Sequence, residues 1–254
     1  MLQTRVIPCL LLNEDSLVKT VKFENPSYIG DPVNTVRIFN ELEVDELLFL
    51  DISASKENRE INFHILEEIA NECFMPLAYG GGIKSVADIK KILQIGLEKV
   101  AINSEAFSHP ELITNAAAQF GSQSIIGAID IKKNFWGKYE VYSHSGTQKQ
   151  KVDAVEWAKQ LEKLGVGEIL LTAIHKEGMW SGFDINLIQQ ITRAVNVPVI
   201  ANGGANDIFS IGKAIHDGGA SATALGSMVV YQAKDMGVLV NFPDRQKLER
   251  ELNK

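Results

Sequence analysis

An internal repeat is the feature that most constrains this chain. Pro76 recurs 122 residues later as Pro198, and the pairs Gly81-Gly82 and Gly203-Gly204 are separated by the same offset. Each copy runs from an apolar strand through two glycines into a helix and then a second short strand. Half of the chain therefore repeats the other half, which predicts two similar structural halves.

Eight short β-rich runs alternate with helical patterns. We predict strands at residues 5–11, 46–52, 76–79, 99–102, 124–130, 168–174, 198–201 and 222–225. We predict helices near residues 31–42, 61–71, 86–93, 110–119, 154–164, 185–194, 208–216 and 244–252. This uniform series predicts an α/β fold, a single closed (β/α)8 TIM barrel over residues 1–254, with half-barrels near 1–121 and 122–254. Active sites of such barrels lie at the carboxyl ends of the strands.

Two connections are longer than a turn requires. Residues 12–30 carry Lys19 and little apolar periodicity, so we expect a mobile lid. Residues 131–151 alternate apolar and polar side chains, which favours a small hairpin. Both connections are expected to overhang the catalytic face.

Composition excludes several classes of function. A net charge of −7 argues against a nucleic-acid partner, and the longest apolar runs are too short to span a membrane. Residues 1–5 lead into the first strand without a signal-peptide pattern, and two cysteines, Cys9 and Cys73, fit a reducing compartment. We therefore expect a cytoplasmic protein, and we predict no metal and no cofactor.

The repeated glycine pairs suggest binding sites for phosphate. Glycine lets an anion approach backbone N–H groups, and the following helix directs its positive end to the same place. One cradle is predicted at Gly81, Gly82, Asn103 and Ser104, and the other at Gly203, Gly204, Gly226 and Ser227. Two cradles suggest a ligand with two phosphates; the alternative is a pair of tight turns with no ligand.

Asp130 ends the fifth predicted strand and is the candidate catalytic residue. A carboxyl group at the end of an apolar strand is partly desolvated, which raises its pKa and suits a general acid or base. The alternatives are a helix cap or an ion pair with Lys132.

Four charged residues stand at the starts of predicted strands: Arg5, Glu46, Lys99 and Glu168. Strand starts lie at the barrel floor, opposite the catalytic end. Two basic and two acidic side chains could form one neutral ring there. The alternative is a set of unrelated surface pairs.

Several runs of the sequence are distinctive, among them RVIPCL from Arg5, GDP from Gly30, DELLFLDI from Asp45 and GGGI from Gly80. On these runs, and over essentially its whole length, the chain resembles the cyclase subunit of imidazole glycerol phosphate synthase, the ammonia-using half of a glutamine amidotransferase. This resemblance implies that the ring of four charges gates a path for ammonia. It also implies that a glutaminase subunit docks at the amino-terminal face of the barrel. Lys19, Glu177 and Gly178 are then expected to bind a phosphorylated small-molecule ligand.

Departures from the family pattern cluster at the top of the barrel. Leu11 stands where the family has the first of two catalytic aspartates, and Asp130 matches the second. Thr20 follows the loop lysine in place of Gly, and residues 175–180 replace an Asp-x-Asp-Gly-Thr run. Asn202 and Gly226 replace residues with hydroxyl groups, and Tyr79 is expected at the channel end of the third strand.

Four functional interpretations follow. The first is a subunit that receives ammonia for another substrate; such paralogues occur with surface-polysaccharide genes, where a sugar amidotransferase converts an acetamido to an acetamidino group. The second is the histidine-pathway cyclase itself, with Asp130 working alone and Glu177 replacing an aspartate. The third is a non-catalytic conduit and scaffold. The fourth, an unrelated phosphate-binding isomerase barrel, is disfavoured by the ring, and we favour the first and third together.

Overall fold

The computed structural model describes residues 4–254. Residues 1–3, part of the segment on which the signal-peptide expectation depends, lie outside the described residues. The strands are β1 (Arg5–Asn13), β2 (Ser16–Val21), β3 (Glu24–Gly30), β4 (Leu47–Asp51), β5 (Leu77–Gly80), β6 (Lys99–Ile102), β7 (Ile125–Lys133), β8 (Tyr139–Ser143), β9 (Gln148–Lys149), β10 (Glu168–Ala173), β11 (Val199–Asn202) and β12 (Ala222–Leu225). The helices are α1 (Pro32–Glu41), α2 (Phe63–Glu72), α3 (Val86–Ile95), α4 (Ser104–Ser108), α5 (Glu111–Phe120), α6 (Ala154–Leu164), α7 (Ile185–Thr192), α8 (Ile208–His216), α9 (Ser227–Val230) and α10 (Arg245–Leu252).

Eight parallel strands close into a barrel. Their order around it is β1, β4, β5, β6, β7, β10, β11 and β12. β12 pairs back with β1, with Arg5 opposite Ala222, so the sheet has no free edge along these strands. The predicted (β/α)8 barrel is confirmed.

The helices cover the outside of the barrel because each has one apolar face. Helix α6 illustrates their local signals: Asp153 caps its first N–H groups, Trp157 and Leu161 face the core, and Gly165 ends it in a left-handed conformation. The main hydrophobic core lies between strands and helices. A second, smaller cluster of aliphatic and small residues fills the barrel interior.

Strand alternation decides which residues face the interior. In β5, Ala78 belongs to the interior cluster and Tyr79 to the outer core. The expectation that Tyr79 lies at the end of the channel is therefore wrong, because adjacent strand residues point to opposite faces.

The internal repeat is visible in the elements. β5 and β11 begin and end at equivalent positions of the repeat, since both bounds are separated by the offset of 122 residues. The following strands, β6 and β12, each lead into a short helix, α4 and α9, which the sequence analysis did not predict. Helices of four or five residues are too short to produce a recognisable apolar periodicity.

The two long connections are both β-structures. Residues 12–30 extend β1 and form β2 and β3 in an antiparallel meander, and movement of this segment as a lid stays a prediction. Four successive residues of β2 are buried, namely Leu17, Val18, Lys19 and Thr20. The segment therefore lacks the alternation of apolar and polar residues that predicts a strand exposed on one face. The hairpin predicted after the fifth barrel strand is confirmed, because β7 extends beyond the barrel and pairs antiparallel with β8.

The glycine pairs lie against the end of the preceding barrel strand. A Cβ atom on Gly81 would lie 2.5 Å from the carbonyl oxygen of Asp51, and one on Gly203 would lie 2.8 Å from that of Ala173. Asp51 and Ala173 are themselves equivalent in the repeat. The fold therefore needs glycine at both positions, whatever ligand binds there.

We predict that Gly81→Ala lowers the free energy of unfolding by about 3 kcal/mol or more, since it adds a backbone clash to an unfavourable φ of 123°. Gly96→Ala is the matched control, because Gly96 has a φ of 118° and no atom within 4 Å of its added Cβ. The control should lose only about 1 kcal/mol in urea unfolding. Equal losses would contradict the close-packing argument.

Candidate functional site

A cavity of about 330 Å³ opens at the carboxyl ends of the barrel strands. Its deep wall is formed by apolar and small side chains, among them Cys9, Leu50, Ala128 and Leu170. Its upper wall is polar and comes from the loops that follow the strands. The fold therefore places the cavity at the face where barrel enzymes carry their active sites.

Asp130 lies at the top of the barrel on β7 and lines this cavity. The Nδ2 group of Asn103 donates a hydrogen bond to its Oδ2 atom at 2.9 Å. Burial raises the pKa of Asp130 to about 7, and a hydrogen bond from Thr172 opposes this shift. Because β7 continues to Lys133, Asp130 does not cap a helix. The carboxyl group can exchange a proton near neutral pH, as a general acid or base must.

Leu11 is an apolar part of the cavity wall, at the position where the family resemblance implies a catalytic aspartate. It is buried on β1, between Val18 of β2 and Leu50 of β4. Asp51, the nearest carboxylate along the sheet, does not replace it. Its Oδ1 atom accepts from the N–H groups of Ser53 and Ala54, and its Oδ2 atom pairs with Arg59 at 2.9 Å.

Lys19 and Glu177 form a buried ion pair beside the cavity. The hydroxyl of Thr20 and the N–H of Phe23 also donate to Oε2 of Glu177, at 3.2 and 3.3 Å. Burial lowers the pKa of Lys19 to about 8. Its ammonium group contacts the Glu177 carboxylate. Glu177 therefore fastens the β2–β3 meander to the loop after β10.

Gly178 allows that loop to approach the meander. A Cβ atom at this position would lie 2.6 Å from the carbonyl oxygen of Thr20. Sequence analysis assigned Gly178 to ligand binding. The structure gives it this packing role and also places it at the edge of the second glycine cradle.

The first cradle opens into the large cavity. Gly81, Gly82, Asn103 and Ser104 all line it. The Gly82 N–H donates to the hydroxyl of Ser55 at 3.1 Å, and the Ser104 hydroxyl accepts from the N–H of His144 at 3.0 Å. The four residues predicted for this cradle are thus brought together.

The second cradle surrounds a much smaller space. Gly203, Gly204, Gly226 and Ser227 line a pocket of about 20 Å³ together with Lys19 and Glu177. A Cβ atom on Gly226 would lie 3.0 Å from Cε of Lys19. Glycine at this position therefore leaves room for the lysine side chain.

The β8–β9 turn is part of the cavity wall that sequence analysis missed. His144 and Ser145 have left-handed φ values of 51° and 53°, and the Ser145 hydroxyl donates to the Ile52 carbonyl at 2.6 Å. His144, Ser145 and Thr147 line the cavity. The run Ser145-Gly146 is a turn signal, but nothing in the sequence places this turn over the barrel.

The four charges at the barrel floor form one closed ring. Arg5 bridges Glu46 at 2.5 Å and Glu168 at 2.9 Å, and Lys99 bridges the same two carboxylates at 3.0 and 3.2 Å. Glu46 immediately precedes β4, rather than starting it as predicted. The ring is neutral and partly buried, with the aliphatic barrel interior directly above it.

Residues 4–254 contain neither a metal-binding cluster nor a membrane-spanning helix. No group of three or more His, Cys, Asp or Glu side chains in this part of the chain could hold a metal ion. No helix within it is long and apolar enough to cross a membrane.

Comparison with known proteins identifies the family. The model for the histidine biosynthesis protein family matches residues 5–235. The chain belongs to this family. Within it the chain is a divergent HisF-like paralogue, similar to several proteins over nearly its full length.

Three relatives illustrate this similarity. A Pseudomonas aeruginosa protein provisionally named imidazole glycerol phosphate synthase subunit hisF2 is 49% identical, over 98% of this chain and 99% of its own. A Vibrio vulnificus protein provisionally named subunit hisF3 is 43% identical, over 99% of this chain and 97% of its own. The imidazole glycerol phosphate synthase subunit HisF of Alkaliphilus metalliredigens is 42% identical, over 91% of this HisF-like chain and 92% of its own.

The raised pKa of Asp130 predicts a pH-dependent stability. Between about pH 4 and pH 7 the folded protein keeps a proton that the unfolded chain has lost, so stability falls as the pH rises. Asp130→Asn removes this loss. The unfolding free energy of the variant, relative to that of the wild type, should therefore be higher at pH 8 than at pH 5. The difference between the two pH values should be on the order of 2–3 kcal/mol, measured by denaturant unfolding.

The exposed Asp235 provides the control for this measurement. Asp235→Asn should leave the pH profile of the wild type unchanged. If Asp130→Asn also gave a profile parallel to the wild type, Asp130 would not hold a proton in the folded protein at neutral pH.

Proposed function

We propose that this protein is the ammonia-accepting subunit of a glutamine amidotransferase complex. In this proposal it acts in the cytoplasm and delivers ammonia for acetamidino-group formation on a surface-polysaccharide sugar. The observation that carries the proposal is the closed ring of Arg5, Glu46, Lys99 and Glu168 at the floor of a barrel whose top has Leu11 in place of a catalytic acid.

The ring is costly for a protein that only needs to fold. Aliphatic side chains of similar volume would fill the floor without the desolvation penalty of buried charges. Above the ring, the interior contains several alanines, which leave the barrel axis lightly filled: Ala78, Ala101, Ala128, Ala222 and Ala224. A small neutral molecule such as ammonia can pass an apolar interior, whereas a charged ion is excluded by its desolvation cost.

The amino-terminal face is the proposed docking site for the glutaminase subunit. Arg5 retains an exposed side-chain fraction of 25%, so the ring is open to this face. Phe74, which precedes β5 on the same face, is 85% exposed. An exposed aromatic ring beside a polar entrance is typical of a protein interface.

The top of the barrel supports a role in which ammonia is passed to another protein. It supports less well a reaction that needs two acid–base residues within the cavity. Loss of one acid–base group typically costs about 10²–10⁴-fold in rate.

The β7–β8 hairpin projects beyond the cavity and carries Phe135 and Trp136, which are 96% and 87% exposed. Asn134 fixes the tip by accepting from the N–H groups of Trp136 and Lys138 at 3.0 and 2.9 Å. Aromatic side chains on a fixed backbone are suitable anchors for the proposed sugar amidotransferase.

The two glycine cradles complete the proposal as binding sites for a phosphorylated small molecule. Lys19, Glu177 and Gly178 border the second cradle, and Asp130 lies between the first cradle and the apolar wall. The backbone N–H groups of both turns are independent of Leu11. Binding of an anion is therefore compatible with loss of the original chemistry.

A second candidate function is that of an imidazole glycerol phosphate synthase cyclase subunit in histidine biosynthesis. It would convert a bisphosphate ribonucleotide and ammonia to imidazole glycerol phosphate and AICAR. The raised pKa of Asp130 supports this candidate, since one well-placed group can exchange protons at neutral pH. The name of the relative from Alkaliphilus metalliredigens supports it too.

Turnover with ammonium salts and the histidine-pathway ribonucleotide distinguishes the two candidates. We predict a rate at least about 100-fold below that of a family member with both aspartates. Leu11→Asp should raise the rate. Leu11→Asn should not, because asparagine has nearly the same shape as aspartate but carries no acidic group. Near-normal turnover by the unmutated protein would favour the cyclase.

Breaking the ring tests the proposed ammonia path. With the glutaminase subunit coexpressed, Lys99→Ala should reduce glutamine-dependent product more than ammonium-dependent product, because only the first requires the barrel floor. Lys90→Ala, at an exposed position midway along α3, is the control for loss of a lysine away from the barrel floor. Equal losses with both nitrogen sources, in a variant with unchanged circular dichroism, would make the ring purely structural.

A further inference from the structure

The first barrel strand of each half continues beyond the barrel, and its extension covers the cradle of the other half. β1 continues into the β2–β3 meander, from which Lys19 reaches the second cradle. β7 continues into the hairpin with β8, and the N–H of His144, just after β8, donates to the hydroxyl of Ser104 in the first cradle at 3.0 Å. The pseudo-symmetry of the barrel therefore gives His144 the place over the first cradle that Lys19 has over the second.

His144 is the residue of this hairpin whose side chain can offer a nitrogen donor to the cavity. Residues 131–151 contain five lysines, and none of them belongs to the cavity wall in the described structure. The wall in this range is formed by His144, Ser145 and Thr147. The Ser145 hydroxyl already donates to the Ile52 carbonyl, and the Thr147 hydroxyl donates to the His144 carbonyl, each at 2.6 Å. The imidazole is the group that is left for a ligand.

The hydrogen bonds around the imidazole define its tautomer. The Nε2 group of Gln150 donates to the buried hydroxyl of Ser143 at 2.6 Å, and this hydroxyl lies 2.9 Å from Nδ1 of His144. Among the described residues the Ser143 hydroxyl has no other acceptor, so it donates to Nδ1. Neutral His144 therefore carries its proton on Nε2, and this N–H group has no hydrogen-bond partner in the described part of the chain.

The backbone at His144 is held in a conformation that residues other than glycine rarely adopt. His144 and Ser145 have φ values of 51° and 53°. Two neighbouring elements stabilise this turn, because Ser104 of α4 accepts from the His144 N–H and Ile52, just after β4, accepts from Ser145. Strained residues fixed in this way cluster at ligand-binding sites. The imidazole is thus fixed relative to the first cradle before any ligand binds.

We propose that His144 is a ligand-binding residue of the first cradle and that its Nε2–H group donates to an oxygen of a phosphate bound there. The backbone of the Gly81-Gly82 turn and the imidazole then hold the same anion from two different loops. A donor that is fixed in advance adds affinity, because little side-chain freedom is lost on binding. This role rests on the phosphate-binding function proposed for the cradle and is independent of the passage of ammonia.

Titration of the full-length protein with inorganic phosphate at neutral pH, followed by the amide resonance of Gly82 in proton–nitrogen NMR spectra, tests this role. Gly82 lines the first cradle and not the second, so binding at the second cradle does not enter the measurement. His144→Asn should weaken phosphate binding by at least about tenfold, because a hydrogen bond to a charged acceptor is lost. Asparagine tolerates the left-handed φ, and its side-chain oxygen can still accept from Ser143.

His144→Gln is the matched variant, because its Nε2 group extends to about the place of the imidazole Nε2. Its affinity should lie closer to that of the wild type than to that of His144→Asn. His64→Asn, at an exposed position on α2, is the control for loss of a histidine elsewhere and should leave the affinity unchanged. Nitrogen NMR of the imidazole gives a separate measurement: the wild type should show the Nε2–H tautomer, and its Nε2 resonance should move when phosphate is added.

Four results would overturn this role. Wild-type affinity in His144→Asn would show that the imidazole does not hold the anion, and an Nδ1–H tautomer would show that its donor faces Ser143 instead. Equal losses in His144→Asn and His144→Gln would mean that the histidine only supports the turn. No response of Gly82 to phosphate in any variant would refute the first cradle as an anion site as well. The ratio of glutamine-dependent to ammonium-dependent product is a separate measurement, so failure of the ammonia path would be recognised independently.

Discussion

Alternation of side chains along the barrel strands is the constraint on which the rest of this structure depends. In β1 it directs Arg5 to the floor, Cys9 to the middle and Leu11 to the cavity. In β10 it directs Glu168 to the floor and Leu170 to the same interior. Since eight strands close without an edge, these layers stack along one axis. A charged entrance, an apolar interior and a polar cavity therefore follow each other in a line.

The duplication gives the two halves the same packing of a glycine turn on the end of the preceding strand. The approach of Gly81 to Asp51 and of Gly203 to Ala173 is the same in both halves because the packing of turn on strand is the same. The glycine pairs are thus required by the fold. The two halves differ at the equivalent positions that hold Ser55 in the first half and Glu177 in the second.

Charge balance separates three groups of polar side chains by role. The floor ring and the pair of Lys19 with Glu177 are each internally neutralised, which limits the cost of burying them. Asp130 has no ion-pair partner among the described residues, and burial raises its pKa to about 7. Its proton can therefore exchange near neutral pH.

The sequence by itself determined the barrel, the repeat and the residues at the strand ends. These depend on periodicity and on local signals, such as the cap at Asp153 and the turn at the glycine pairs. Only the tertiary structure decided the meander at residues 12–30, the outward direction of Tyr79 and the partner of Lys19. Glu177 is 158 positions away from Lys19 in the chain. No local pattern reports such a contact, because barrel closure and loop packing create it.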